Sequence, residues 1–237
     1  MTDNSDVPRP RIVSVFLCYI TVIAVQLLVG VILALILIIL GWNIQNSSIP
    51  LGVILTPISA ISIGIVTLFF AKRQGMDFKE LGIKKLSLSQ FFIAILIGIG
   101  LVALASAVET FQTLLFGPNP DEGVMIGILL PNDFLQTIIM ITSFILLVGP
   151  MEEIFARGFI QKGLNNHFGS VKGWLIASFL FALLHITNSL YSFIPVLIGG
   201  GLAIGYIWQK TGENTTFTWI IHSTYDSILI IAIFFFR

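Results

Sequence analysis

The chain has 237 residues, of which 56% are apolar and only 10% charged, and its mean hydropathy is +1.00. Soluble domains carry about 25% charged residues, so a soluble globular fold is excluded and an all-α, polytopic membrane helix bundle is expected. Lys and Arg balance Asp and Glu at 12 each, and with no basic tail nucleic acid is not an expected partner.

Arg9 and Arg11 precede an uncharged run from Ile12 to Leu40. That run is too long for the apolar core of a signal peptide and lacks a small-residue cleavage site, so it reads as a first span. Its Cys18 is the single cysteine. No intramolecular disulfide and no thiolate metal cluster can form, and the thiol reads as a small apolar side chain.

A helix needs about 20 apolar residues to cross a bilayer. On that basis about seven transmembrane helices are expected, at 12–40, 49–71, 89–116, 133–163, 172–187, 190–209 and 214–236. The first break is the turn-rich stretch from Gly41-Trp42-Asn43 to Ser48-Ile49-Pro50. Loop 2–3, Lys72 to Ser89, mixes Met76, Phe78, Leu81, Ile83 and Leu86 with five basic residues. It reads either as an amphipathic piece on the inner leaflet or as a plain cytosolic connector. The 37-residue run Gly173–Gln209 exceeds one crossing and is expected to turn at Thr187-Asn188-Ser189. Gly199, Gly200, Gly201 and Gly205 then place small residues where close helix packing needs them.

Loop charges support an odd number of spans. Lys and Arg number two before helix 1, five in loop 2–3, three from Arg157 through loop 4–5 and one in loop 6–7, with none in loops 1–2, 3–4 and 5–6. Cytoplasmic loops carry the basic excess, so the N-terminus is placed in the cytoplasm, the C-terminus outside, and the chain in the cell membrane. The whole reads as a single membrane domain over 1–237. N-terminal helices and a cytoplasmic loop occupy 1–129, and chemistry-bearing helices 130–237.

Ionisable side chains at membrane depth mark function by default. Glu152, Glu153 and Arg157 lie in helix 4, His185 in helix 5 and His222 in helix 7. At about 1.5 Å per residue, Glu152 lies about 18 Å from the inner end of its helix, His185 about 20 Å and His222 about 12 Å. The depths overlap, so one site is geometrically possible. Glu153 and Arg157 are four apart and can pair on one face. Glu152 points away and is left free, which makes it the better candidate base. Phe181 and His185 are four apart, as are His222 and Asp226, and Asn188 follows His185 by three, so each histidine has a same-face neighbour. Pro150, just before the glutamates, removes one helix hydrogen bond and frees backbone groups beside the site. The bland readings remain open: a purely structural Glu153–Arg157 pair and histidines that only bridge helices. Glu109 reads as an interfacial carboxylate and His167 as a solvated loop residue.

Glu152-Glu153-Ile154-Phe155-Ala156-Arg157, Phe181-Ala182-Leu183-Leu184-His185 and His222-Ser223-Thr224-Tyr225-Asp226 resemble the three motifs of the CPBP intramembrane proteases. That family includes the type II CaaX prenyl endopeptidases and bacteriocin-processing or self-immunity proteins. Gly158 and Asn188 also fit, and the resemblance covers about residues 130–237. It implies an integral-membrane endopeptidase that cuts near a membrane-embedded or lipidated segment of a protein or peptide. Glu152 would then activate water, with His185 and His222 binding a metal or stabilising the oxyanion, and Glu153 and Arg157 positioning Glu152. The family is commonly labelled a metalloprotease, and two histidines with one glutamate can form a three-ligand zinc site. A metal-free hydrolysis driven by Glu152 uses the same residues. Asp226 stands where the family most often has Asn; an ionised Asp cannot donate to an oxyanion, whereas Asn can. Two other classes stay in view: a catalytically inactive scaffold or immunity protein that keeps the motifs, and a transporter, for which no inverted repeat is visible.

Overall fold

The computed structural model describes residues 9–42, 48–119, 122–186 and 190–236. The chain forms α1 (Ile12–Ile39), α2 (Leu51–Arg73), α3 (Leu88–Phe116), a short α4 (Glu122–Leu129), α5 (Phe134–Phe168), α6 (Ser170–His185), α7 (Tyr191–Lys210) and α8 (Thr215–Phe236). Among the described residues there is no strand. Six helices are long and apolar enough to span a bilayer, and α6, at 16 residues, is shorter. The seven expected segments are therefore all helical, with six of full crossing length.

Three boundaries differ from the sequence reading. Helix α5 continues to Phe168, so Asn165-Asn166-His167 form its last turn rather than a loop, with His167 exposed and its ring on Phe168. The chain leaves that turn at Gly169, whose φ of 84° suits a residue without a Cβ. Helix α6 ends at His185, and the turn expected at Thr187-Asn188-Ser189 lies outside the described residues. Finally, the stretch expected as loop 3–4 contains α4. Its Leu129 backbone lies where a Cβ on Gly52 would sit, so α4 rests directly on the start of α2.

Burial runs opposite to a soluble protein. Leu17, Ile20, Leu27, Val31 and Ile39 on α1, and Leu96, Phe111 and Leu114 on α3, face outward. An apolar surface that extensive is stable only against lipid. The polar and charged groups turn inward, where Glu153, Arg157 and Gln161 are fully buried. Helix α5 is the axis of the bundle: every residue from Ile154 to Gln161 is buried, against α1, α2, α6 and α8. Helix α8 lies along α3, and α6 packs on α7.

Loop 2–3 is neither a free connector nor a piece lying on the leaflet. Met76 and Leu81 are buried, and the chain docks across the ends of α5 and α8. The Thr215 N–H donates to the Gly82 carbonyl at 2.8 Å, and the Thr215 hydroxyl donates to the Leu81 carbonyl at 2.6 Å. That same hydroxyl accepts from the Trp208 indole at 3.1 Å. Lys162 on α5 donates to the Glu80 carbonyl at 2.5 Å and pairs with Glu213 at 3.4 Å. Loops 2–3, 4–5 and 6–7, which the charge count places on one side, thus meet at one end of the bundle.

Two outcomes are expected. Thr215→Val strands a buried indole N–H and a buried carbonyl, and should lower stability by about 1–3 kcal/mol, read as a lower melting temperature in detergent. In a Cys18→Ser background, cysteines at Lys79 and Asn166 should resist an external membrane-impermeant thiol reagent, while one at Asn132 should react. Reaction at Lys79 in intact cells would overturn the orientation.

Candidate active site

Helix α5 does not run as a regular α-helix. It widens into π turns at Phe144–Val148 and Ile154–Gln161, on either side of Gly149–Glu153. Such widened turns occur often at functional sites because they re-aim side chains and expose carbonyls. Beside the first, Trp219 donates to the Ile145 carbonyl at 2.8 Å and Ser223 to the Phe144 carbonyl at 2.9 Å, both from α8. A Cβ on Gly149 would collide with Ser223, so α8 approaches closely here. The backbone groups expected to be freed near Pro150 are thus held by side chains flanking His222.

A third widened stretch, Val196–Ala203, lies in α7. Its carbonyls receive charged and polar donors: Gly200 from the Arg157 Nη2, and Leu202 from the Trp174 indole at 3.0 Å. Gln161 donates to Gly205 at 2.9 Å. A Cβ on Gly201 would lie 2.8 Å from the Ser178 carbonyl, and one on Gly205 2.8 Å from Gln161. These glycines bring α7 near enough for the bonds to form.

The paired glutamates part company. Glu153 Oε2 lies 3.3 Å from Arg157 Nε, and its Oε1 lies 3.0 Å from His222 Nδ1; Glu153 and Arg157 are fully buried. A carboxylate only accepts, so His222 carries a proton on Nδ1 and turns Nε2 toward the cavity. That nitrogen is 3.5 Å from Asp226 Oδ2 and 4.0 Å from Glu152 Oε2. His185 Nδ1 lies 3.0 Å from the Phe181 carbonyl, another acceptor, so its Nε2 is likewise the uncommitted nitrogen. The Phe181 ring ties the set together: Arg157 stacks over it at 4.9 Å, and the His185 and His222 rings lie 4.8 and 6.1 Å away.

Glu152 is open where Glu153 is sealed. Its side chain is 19% exposed. It lines a cavity of about 320 Å³ together with His185, His222 and Asp226, walled by Leu55, Met140, Phe144 and Ile230. Leu129 and Leu130, from α4 and its end, close the same cavity. A second cavity of about 340 Å³, between α1, α2 and α6, also reaches Glu152 and His185.

The structure therefore brings Glu152, Glu153, Arg157, Phe181, His185, His222 and Asp226 together from α5, α6 and α8. Asn188 lies outside the described residues. Sequence reasoning did not identify Trp219, Ser223 or the Gly200 carbonyl as supports. The four-residue spacing of Trp219 and Ser223, adjoining His222 on α8, was the available signal. Among the described residues no three His, Cys, Asp or Glu side chains group as metal ligands would. The expected zinc set is not formed by this arrangement.

Residues 134–228 match the model of a family described as Type II CAAX prenyl endopeptidase Rce1-like. This part of the chain belongs to the Rce1-like family. The Rce1-like region contains all three motifs and all seven clustered side chains, and it begins at α5. An uncharacterized protein of Mycoplasma capricolum subsp. capricolum is 30% identical over 103 residues, 42% of this chain. The chain spans only 28% of that relative's length. No solved structure matches the chain.

Removing one partner of a buried ion pair leaves the other charge stranded, at a cost of about 3–5 kcal/mol. Arg157→Met should therefore destabilise the bundle by about that amount. Thermal unfolding in detergent micelles measures it, and a wild-type melting temperature would show that Arg157 carries no structural load.

Proposed function

We propose that the chain is an intramembrane endopeptidase that hydrolyses a peptide bond next to a membrane-embedded or prenylated segment. The observation that carries this reading is the contrast between adjacent carboxylates: Glu153 is locked between Arg157 and His222, while Glu152 is open to two cavities. A buried, paired glutamate positions; an open one beside imidazoles can move protons.

Glu152 takes a proton from a water in the 320 Å³ cavity, and the water oxygen attacks the scissile carbonyl. The developing oxyanion is met by Nε2–H of a protonated His222 or His185. Carrying protons on both nitrogens suits His222, because each N–H then faces a carboxylate, Glu153 on one side and Asp226 on the other. Glu152 returns its proton to the leaving amine, so one water is consumed and a carboxylate and an amine are released. Glu153 and Arg157 act through His222 and the α7 backbone and are positioning residues.

No step is routed through a metal. Were zinc bound, His222 Nε2, with Nδ1 held by Glu153, is the nitrogen that would face it, and the ion would supply Lewis acidity at the carbonyl. The first three helices and α4 serve in this proposal as the frame that walls the cavities, and residues 130–237 as the machinery. The cell membrane is the proposed location.

Glu152→Gln should abolish cleavage of farnesylated CaaX peptides, followed by mass spectrometry, without lowering the melting temperature, since it removes the base and little volume. Turnover near wild type would remove Glu152 from the mechanism. Asp226→Asn should keep or raise activity, because the amide offers a donor as well as an acceptor. Loss of activity to a strong chelator, restored by stoichiometric zinc, would replace this mechanism with a metal-assisted one.

A further inference from the structure

A third cavity adjoins the site on the side away from Glu152. It holds about 90 Å³ and is lined by Leu101, Phe181, Val196, Gly199, Gly200 and Ile204, with His185, His222, Tyr225 and Asp226 on its rim. His185, His222 and Asp226 therefore form a partition, with the larger cavity and Glu152 on one face and this small apolar chamber on the other.

Gly199 is the informative residue. Helical glycine costs up to about 1 kcal/mol relative to alanine, and most glycines of α7 are explained by contact. A Cβ on Gly200 would lie 2.9 Å from the Phe181 ring, and those on Gly201 and Gly205 would press on Ser178 and Gln161. A Cβ on Gly199 would meet nothing within 4 Å, although Gly199 itself is buried. Packing does not require glycine there, and its φ is not positive. What glycine preserves at 199 is empty space beside the two imidazoles.

Resting on the proteolytic reading above, we propose that this chamber is a specificity subsite for one aliphatic side chain next to the scissile bond, with Gly199 setting its size. The volume decides the class. About 90 Å³ holds a branched aliphatic side chain of three or four carbons, while an apolar cavity that takes benzene has about 150 Å³. The lining is apolar at the far wall, where Leu101, Val196 and Ile204 lie, so a charged side chain there would be unpaired. A carbonyl held at the His185–His222 partition would have its neighbouring side chain at the chamber's mouth.

The test uses full-length protein in nanodiscs and farnesylated CaaX peptides varied as Gly, Ala, Val, Leu or Phe at each residue after the cysteine. Cleavage is followed by mass spectrometry, and binding to Glu152→Gln protein by fluorescence anisotropy. Wild type should prefer Val or Leu over Gly at one position. Gly199→Val should cut the preference for Leu over Ala at that position by tenfold or more, since a methylene in such a pocket is worth about 10–200-fold. Leu101→Ala should shift acceptance toward Phe, which guards against Gly199→Val simply failing to fold. Cleavage with an unaltered side-chain profile in either folded variant overturns the subsite and leaves the protease. Binding with an aliphatic preference that Gly199→Val removes, but no cleavage by wild type, upholds the subsite and overturns the protease. Neither binding nor cleavage by wild type overturns both.

Discussion

The structure depends on one carboxylate. Glu153 sits at full burial between Arg157 and His222, each on a different side of it. An unpaired charge at this depth would cost several kcal/mol, so the helix bearing it must meet partners or not insert stably. One partner comes from α5 itself, four residues on, and the other from α8. Arg157 then reaches the Gly200 carbonyl on α7 and stacks over Phe181 on α6. Satisfying a single glutamate thereby assembles four helices around one point. Glu152, one residue earlier on the same helix, points elsewhere and carries none of that obligation.

Such a network needs acceptors in a place where ordinary helices have few to offer. The widened turns supply them. Carbonyls of Phe144 and Ile145 in α5, and of Gly200 and Leu202 in α7, all accept from side chains of neighbouring helices. Irregular backbone is tolerated at membrane depth only where it is buried in protein or lines a cavity, and both conditions hold here. Close approach is what makes these bonds possible, and Gly149, Gly201 and Gly205 permit it by leaving no Cβ in the way. The glycines and the π turns are two parts of one arrangement.

The helices and the motif residues were legible because hydropathy and charge act locally. A run of apolar residues spans wherever it occurs, and Lys or Arg stays in water, so the seven segments and their alternation follow from the sequence. The pairing of Glu153 with Arg157 was legible from spacing on one helix. What spacing cannot carry is contact between helices: that His222 takes Glu153 rather than Glu152, or that Trp219 and Ser223 hold the α5 backbone. Loop 2–3 was misjudged for a related reason. Its basic residues suggested water or headgroups, but Lys162 and Thr215, distant in sequence, offered its carbonyls better-defined partners. The eight residues of α4 fell below the length at which apolar periodicity separates a helix from a loop.

Hydrolysis inside a bilayer needs water at the reacting atoms and apolar surface for the substrate, two requirements that compete. The cavities divide the task by their linings. The 320 Å³ chamber has volume for about ten waters at roughly 30 Å³ each. Its polar groups cluster at Glu152, His185, His222 and Asp226, while Leu55, Met140, Phe144 and Ile230 line the remainder. Water is therefore stabilised only where hydrogen-bond partners converge, and the apolar walls are left to a peptide. The 340 Å³ cleft past Val22, Leu27 and Ile63 reaches the same glutamate from among the lipid-facing helices α1 and α2, and its polar lining includes Gln26 and Ser59. Glu152 stands where the two chambers share a wall, one suited to hold water and the other to admit an apolar chain. A carboxylate placed there meets both reactants without either having to cross the other's solvent.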